Sequence, residues 1–445
     1  MKLLFVSLGC DKNLVDTEFM LGMLRDDGIE ITNDETEADI IIVNTCCFIN
    51  DAKEESVNTI LEMAEYKKTG KCKALIVTGC MAQRYKEEIT QEIPEVDAVL
   101  GTTSYGDIVK ALNEAQAGHV FQEFRDINEL PEDSGRRVLT TGGHFGYLKI
   151  AEGCDKHCTY CIIPSLRGKF RSVPEERLLA QAEYMASQGV KELILVAQET
   201  TVYGTDLYGK KTLHILLKKL CQIKGIRWIR VLYCYPEEIY DELIQVMKEE
   251  KKICNYLDLP IQHASDRILK RMGRRTTRKQ LEDIIAKLRR EIPDIVLRTS
   301  LITGFPGETQ EDHEELMEFV DEMEFDRLGV FTYSPEEGTP AETMEGQVPE
   351  EVKEERRDEL MSLQQEISLE KGDERIGQEL LVMIEGKVSG ESAYIARTYA
   401  DAPKVDGYIF VQTGELLVTG DFARVRVTGA LEYDLIGELA DEYTE

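Results

Sequence analysis

Three short apolar runs at residues 3–8, 38–43 and 74–78 open the chain, separated by amphipathic stretches at 14–26 and 53–68, with another near Gln83. Strands alternating with helices predict right-handed βαβ units on a parallel sheet. A polar, turn-rich stretch at 124–146 reads as a linker. Beyond it lie six further strand candidates, 147–151, 192–197, 228–233, 256–260, 296–302 and 327–333, each separated by helical sequence. Six such units predict a partial, open barrel, and α/β barrels keep their active residues on the loops after the strands' C-terminal ends. Residues 349–375 form a charged helical stretch in which Leu360, Leu363, Ile367 and Leu369 give a sparse apolar stripe, read as a connecting helix. Short alternating runs at 380–385, 393–397, 408–411 and 422–427 then predict a small β-barrel. The expected fold class is α/β: an N-terminal parallel α/β sheet domain (1–123), the linker (124–146), a central partial (β/α)6 TIM-like barrel (147–348), the connecting helix (349–375) and an OB-like β-barrel (376–445).

Composition narrows the possibilities. A chain of 445 residues suits two or three domains, and no apolar run reaches the length of a membrane span. The first residues lack the longer apolar region and cleavage site of a signal peptide, so the expectation is a cytoplasmic protein with no membrane partner. Eleven cysteines in such a chain point to metal or redox chemistry instead of disulfides. The net charge of −31 disfavours a large phosphate-tracking surface and suits a basic protein partner, or serves solubility alone. Neither a Gly-rich dinucleotide fingerprint nor a P-loop is present.

The chemistry concentrates in cysteines. Cys154, Cys158 and Cys161 follow the first strand of the central segment at C-x3-C-x2-C spacing. Three thiolates so spaced hold three corners of a 4Fe–4S cube and leave one iron open. The alternative, a zinc knuckle, normally closes with four ligands in paired C-x2-C spacings, and no second pair follows. Cys10, Cys46 and Cys80 each sit just past one of the three N-terminal strands, in Ser-Leu-Gly-Cys, Val-Asn-Thr-Cys and Val-Thr-Gly-Cys. Parallel strands bring their C-terminal ends to one edge, so these thiols are expected to converge as a second three-cysteine site. Cys47, Cys72, Cys221, Cys234 and Cys254 read as small buried hydrophobes. His157 reads as a solvated loop residue, and His263 as either a neighbour of the substrate or a hydrogen bonder at a strand end.

The C-x3-C-x2-C run, with Tyr160 before its last cysteine, resembles the signature of the radical S-adenosylmethionine superfamily. Together with Cys10, Cys46, Cys80 and the terminal barrel, the whole chain resembles the radical methylthiotransferases, which carry an N-terminal cluster domain, a radical S-adenosylmethionine domain and a TRAM barrel. Within them, the opening Ser7-Leu8-Gly9-Cys10-Asp11-Lys12-Asn13-Leu14-Val15-Asp16 is similar to the branch acting on a ribosomal protein. So are Leu259-Pro260-Ile261-Gln262-His263-Ala264-Ser265 and Arg397-Thr398-Tyr399-Ala400-Asp401-Ala402-Pro403. The resemblance implies two 4Fe–4S clusters and S-adenosylmethionine as cofactors, with the six cysteines as metal ligands and catalytic residues. The reaction implied adds –SCH3 to the β-carbon of an aspartate in small-subunit ribosomal protein S-twelve. A 5′-deoxyadenosyl radical removes the hydrogen, and the N-terminal cluster supplies sulfur. Tyr160, Gln198, Glu199, Arg298, Gly304 and Gly307 are the implied cofactor contacts, Gln198 and Glu199 at the methionine amino group, Arg298 at its carboxylate and the glycines on the adenine side. The implied partners are a flavodoxin- or ferredoxin-type electron donor and a sulfur donor. Residues 376–445 hold thirteen Asp/Glu against five Lys/Arg, a net of −8, which fits a basic protein substrate better than tRNA. The alternatives are a tRNA adenosine methylthiotransferase and a nonenzymatic iron–sulfur scaffold or RNA-binding factor in ribosome assembly.

Overall fold

The apolar runs form two parallel sheets and a closed barrel. The computed structural model describes residues 1–131 and 136–440; residues 132–135 of the expected linker and 441–445 of the barrel segment lie outside the described residues. The N-terminal sheet comprises β1 (Lys2–Ser7), β2 (Glu30–Ile31), β3 (Ile40–Thr45), β4 (Ala74–Gly79), β5 (Ala98–Leu100) and β6 (Phe121–Glu123), ordered β2-β1-β3-β4-β5-β6 with every pairing parallel. All six residues of β3 and of β4 are buried, as expected of strands covered on both faces. The strand order reverses between β1 and β3, and in open α/β sheets ligands bind outside the carboxyl ends at such a switch point. There α1 (Asp11–Asp26), α2 (Asn50–Thr69) and α3 (Cys80–Tyr85) begin, after β1, β3 and β4.

The central sheet contains β7 (Phe145–Lys149), β10 (Glu192–Val196), β11 (Trp228–Val231), β12 (Ile253–Asp258), β13 (Val296–Thr303) and β14 (Arg327–Thr332), again all parallel, each beside its predecessor in sequence. This is the winding of an α/β barrel left open after six units. Between β7 and β10 lies a two-residue antiparallel pair, β8 (Ala151–Glu152) with β9 (Arg171–Ser172), too short for the sequence pattern to announce. Side chains alternate along the strands. Leu148, Leu193, Leu195, Ile229, Val231, Leu257 and Leu297 pack against the surrounding helices. On the other face Phe145, Tyr147, Ile194, Val196, Tyr256 and Val296 share one buried cluster with Val15, Phe19 and Met20 of α1 and with Met383, Ala400, Ala402 and Phe422 from the C-terminal segment. At about 1.5–3 kcal/mol per buried large apolar side chain, this shared cluster is what holds the three parts together.

The C-terminal segment closes as a five-stranded barrel, β15 (Glu379–Lys387), β16 (Ala393–Thr398), β17 (Ile409–Gln412), β18 (Phe422–Ala430) and β19 (Leu435–Leu439), in the order β15-β16-β17-β19-β18. Both segments read as connections also pack against the domains they join. The described part of the segment 124–146 is not a loose tether: the buried Arg137 pairs with Glu18 of α1 at 3.4 Å, and Val138 N–H donates to Glu18 O. Gly22 of α1 permits that approach, since a Cβ there would stand 2.4 Å from Arg136 O. Nor is the helix Glu350–Asp373 a bare connector. Leu360 and Ile367 belong to the central core, with Leu363 packed against it, whereas Leu369 is exposed.

Candidate functional site

Cys10, Cys46 and Cys80 stand at the carboxyl ends of β1, β3 and β4. Cys10 occupies the N-cap of α1, and Cys80 is the first residue of α3. Two glycines hold the geometry. Gly9 has φ +84°, and a Cβ on it would come within 2.8 Å of Cys46 Cβ. Gly79 has φ +94°, and a Cβ would meet Asn44 Oδ1 at 2.3 Å and Thr45 O at 2.5 Å. Only glycine fits at either position. Asn13 ties the loops together, its Nδ2 donating to Leu8 O and Thr45 O at 3.2 and 3.0 Å. Ser56 braces Cys46, accepting from its N–H at 3.0 Å and donating to its carbonyl at 2.7 Å. Burial pushes the Cys46 thiol up to about 12, with the charges of Cys80 and Cys10 adding to it, and burial likewise raises Cys80.

The second triad lies on the loop between β8 and β9. Gly153, at φ +77°, closes the base of this loop: a Cβ there would meet Lys169 O at 2.1 Å. Cys154 N–H donates to Gly168 O at 3.1 Å, Lys156 N–H donates to Cys154 Sγ at 3.4 Å, and the Cys158 thiol lies 3.8 Å from Tyr235 Oη. Burial raises Cys154 to about 11, aided by the charges of Glu199 and Cys158. Cys161 rises to about 12 by burial and by its two sister thiols. Among the described residues, no three His, Cys, Asp or Glu side chains close around one point as ligands of a single ion do. An all-sulfur donor set suits iron–sulfur chemistry, so the residues present fit the implied clusters.

A buried polar network touches the N-terminal triad at Cys80 and includes Glu152 and Arg167, which flank the second triad in sequence. Arg167, from the helix Ile163–Arg167 that follows Cys161, directs Nη1 to Asp16 Oδ2 of α1 at 2.8 Å and to Glu152 Oε2 at 3.2 Å. Its Nη2 lies on Asn13 Oδ1 and 3.5 Å from Cys80 Sγ. Lys149, in the middle of this group, binds Asp16 and, at 2.6 Å, Glu152. Gln198 Nε2 donates to the other oxygen of Glu152 at 3.0 Å. Next to Gln198, the buried Glu199 is pushed up to about 7 by burial, and its charge reaches Cys154. Sequence reading missed Asp16, Lys149, Glu152 and Arg167 as site residues. The signal was there in Lys149 and Glu152, charges in the otherwise apolar stretch Tyr-Leu-Lys-Ile-Ala-Glu.

The other expected contacts fall in several places. Gln198 meets the network at Glu152 while Glu199 accepts from Thr201, and each has one buried oxygen lacking a protein partner. Tyr160 packs edge-on against Phe305 at 6.4 Å between ring centroids, beside Tyr333. Arg298 is paired on two of its nitrogens: Asp258 takes its Nη1 at 2.8 Å, and Asp406 of the C-terminal barrel takes its Nε at 3.3 Å. Gly304 and Gly307 do have positive φ, yet the close approaches they allow are to Lys353 of the helix Glu350–Asp373 and to Arg271. His263 is a strand-end hydrogen bonder, its Nδ1 accepting from Ala264 and Ser265 N–H and its Nε2 lying 3.6 Å from Glu308. His157 is exposed, and the five remaining cysteines are all buried. The segment Arg397–Pro403, matched above as a branch motif, docks the barrel on the central sheet: Arg397 pairs with Glu192 at 2.7 Å and Arg327 with Asp401 at 2.5 Å.

Comparison with known proteins agrees with this architecture. Residues 2–101 match the uncharacterized protein family UPF0004, 148–320 the radical SAM superfamily and 376–440 the TRAM domain. A ribosomal protein uS12 methylthiotransferase RimO of Lachnoclostridium phytofermentans is 65% identical, covering 98% of this chain and 99% of its own length. Those of Pelotomaculum thermopropionicum and Clostridium botulinum are 52% and 50% identical, over 98% and 100% of this chain and 99% of each relative. Among solved structures, the radical S-adenosylmethionine methyltransferase TsrM of Kitasatospora setae shares the fold, with a TM-score of 0.55 at 14% identity, over 77% of each chain. The cobalamin-dependent radical enzyme OxsB shares it at 0.52 and 16% identity, over 81% of this chain and 56% of its own. At 50–65% identity along its whole length, the chain belongs to the ribosomal protein uS12 methylthiotransferase family of the radical SAM superfamily.

Proposed function

We propose that this chain transfers a methylthio group to the β-carbon of an aspartate in ribosomal protein uS12. The observation that supports it is the pair of thiol triads on adjoining domains, which the buried group of Arg167, Asp16, Lys149 and Glu152 ties to each other. Cys10, Cys46 and Cys80 would hold one 4Fe–4S cluster, and Cys154, Cys158 and Cys161 the other. Bound there, the clusters and S-adenosylmethionine supply one-electron chemistry, sulfur and a methyl group, none of which a side chain provides. The chain's own residues bury and orient them. Tyr235 lies against Cys158, and Gln198 and Glu199 offer unpartnered buried oxygens to a cationic amine. On loading, Cys46, Cys80, Cys154 and Cys161 must release the protons that burial otherwise holds on them. A flavodoxin- or ferredoxin-type protein would deliver electrons, a separate donor would replace the sulfur, and the reaction would take place in the cytoplasm. Among the described residues no helix is long and apolar enough to cross a membrane.

Mass spectrometry of uS12 and of tRNA from cells lacking the protein tests the substrate. The methylthio mass should vanish from uS12 and persist on tRNA; the reverse would overturn the proposal. Anaerobic protein should hold about eight irons per chain, and Cys154→Ala about four with no 5′-deoxyadenosine formed. Absence of 5′-deoxyadenosine from the unaltered protein with S-adenosylmethionine and reductant would instead mark a nonenzymatic scaffold.

A further inference from the structure

Arg167 is 2% exposed, and its charge is already balanced. It and Lys149 face Asp16 and Glu152, two cations against two carboxylates, in a group closed to solvent. Balance of that kind is what a buried guanidinium requires. The contact from Nη2 to Cys80 Sγ, at 3.5 Å, adds nothing to that balance. It crosses from the central domain to a thiol of the N-terminal triad, 87 residues away in sequence. Hydrogen bonds and charge at the sulfurs are among the levers that set an iron–sulfur potential. We propose that Arg167 is a positioning residue for the N-terminal cluster, raising its reduction potential by donating to the Cys80 sulfur. Through it, that potential depends on the docking of the two domains. The inference rests on the assignment of Cys10, Cys46 and Cys80 as cluster ligands.

The physical sign is fixed. One-electron reduction adds negative charge to the cube, and a nearby cation stabilises the reduced form more than the oxidised one. Removing the guanidinium must therefore lower the potential. Neutralising Glu152, its counter-charge, must raise it, although the amide still accepts hydrogen bonds. A role confined to packing predicts no such opposition of sign.

The test uses full-length Cys154→Ala protein, which retains only the N-terminal cluster, titrated anaerobically with dithionite and mediators and followed by electron paramagnetic resonance. Arg167→Gln should shift the midpoint to lower potential, Arg167→Lys should shift it less, and Glu152→Gln should shift it upward. Arg167→Lys and Glu152→Gln keep the experiment decisive if Arg167→Gln fails to fold. Iron-loaded variants with unmoved potentials, or with shifts all of one sign, would overturn the proposal while leaving the cluster assignment intact. A Cys154→Ala parent without iron would overturn both.

Discussion

At the scale of single residues, the cysteines could be read from the sequence because their positions repeat: each of Cys10, Cys46 and Cys80 ends an apolar run, and each of Cys154, Cys158 and Cys161 sits in one short loop. What the sequence did not disclose is how the backbone delivers them. The glycines of Ser-Leu-Gly-Cys and Val-Thr-Gly-Cys were visible as letters, but their positive φ and their close neighbours arise only when β1, β3 and β4 lie side by side. Gly79→Ala should thus cost about 1–3 kcal/mol in strain and displace Cys80, so that thermal midpoint falls and iron content drops by about half. Gly118→Ala provides the control, since Gly118 has φ +79° with nothing within 4 Å of an added Cβ. It should lower the midpoint through strain but leave the iron unchanged. Full iron in Gly79→Ala would show that Cys80 does not depend on that turn. Arg167 was invisible for a different reason. Its partners Asn13 and Asp16 lie 154 and 151 residues away, and no local pattern marks a pairing across domains.

At the scale of elements, legibility followed burial and length. β3, β4 and the six central strands were evident within a few residues; β3 and β4, buried at every position, open on continuous apolar runs, as parallel strands covered on both faces do. The two-residue β2, exposed at both positions, and the β8–β9 pair carry no such run. In β19 the pattern Leu-Ile-Gly-Glu-Leu is broken by Gly437, which is needed because a Cβ there would stand 2.4 Å from Val425 Cγ1. Helix ends offer a measurable case. Thr309 and Asp312 form a capping box at the start of the helix Gln310–Met323, and Asp312 also accepts from Ser265 at 2.7 Å and pairs with Arg267. Burial alone would raise the Asp312 carboxyl, but Arg267 and the donors of Thr309 and Ser265 bring it down to about 2. A carboxylate lowered on folding contributes stability above its unfolded value, near 4, and loses that contribution as pH falls towards 2. Asp312→Asn should accordingly cost about 1–2 kcal/mol at neutral pH. The gap in thermal midpoint between the two proteins should hold constant above pH 5 and narrow below pH 4. A gap unchanged down to pH 3.5 would mean that the cap does not act through its charge.

At the scale of the whole molecule, charge and docking together decide what the C-terminal barrel can grip. A barrel tracking tRNA phosphates needs free Lys and Arg, since each neutralised phosphate contributes through released counterions. This one has five such residues in 376–445 against thirteen Asp and Glu. Of the five, Arg397 is fully buried between Glu192 and Glu385, where it fastens the barrel to the central sheet, and Arg426 pairs with Glu379. The other three, Lys387, Lys404 and Arg424, are exposed but outnumbered by the carboxylates, so what the barrel shows to a partner is mostly carboxylate. Within Arg397–Pro403, Arg397 and Asp401 set how the barrel sits on the sheet. With a net charge of −31, association with basic uS12 should be steered electrostatically. The association rate should then fall by about tenfold or more between about 20 and 200 mM salt, and dissociation should change much less. Stopped-flow or surface-based kinetics with purified uS12 would measure both, with bulk tRNA added as competitor. A rate indifferent to salt, or micromolar competition by tRNA at about 150 mM salt, would show that acidity plays no part in choosing the substrate.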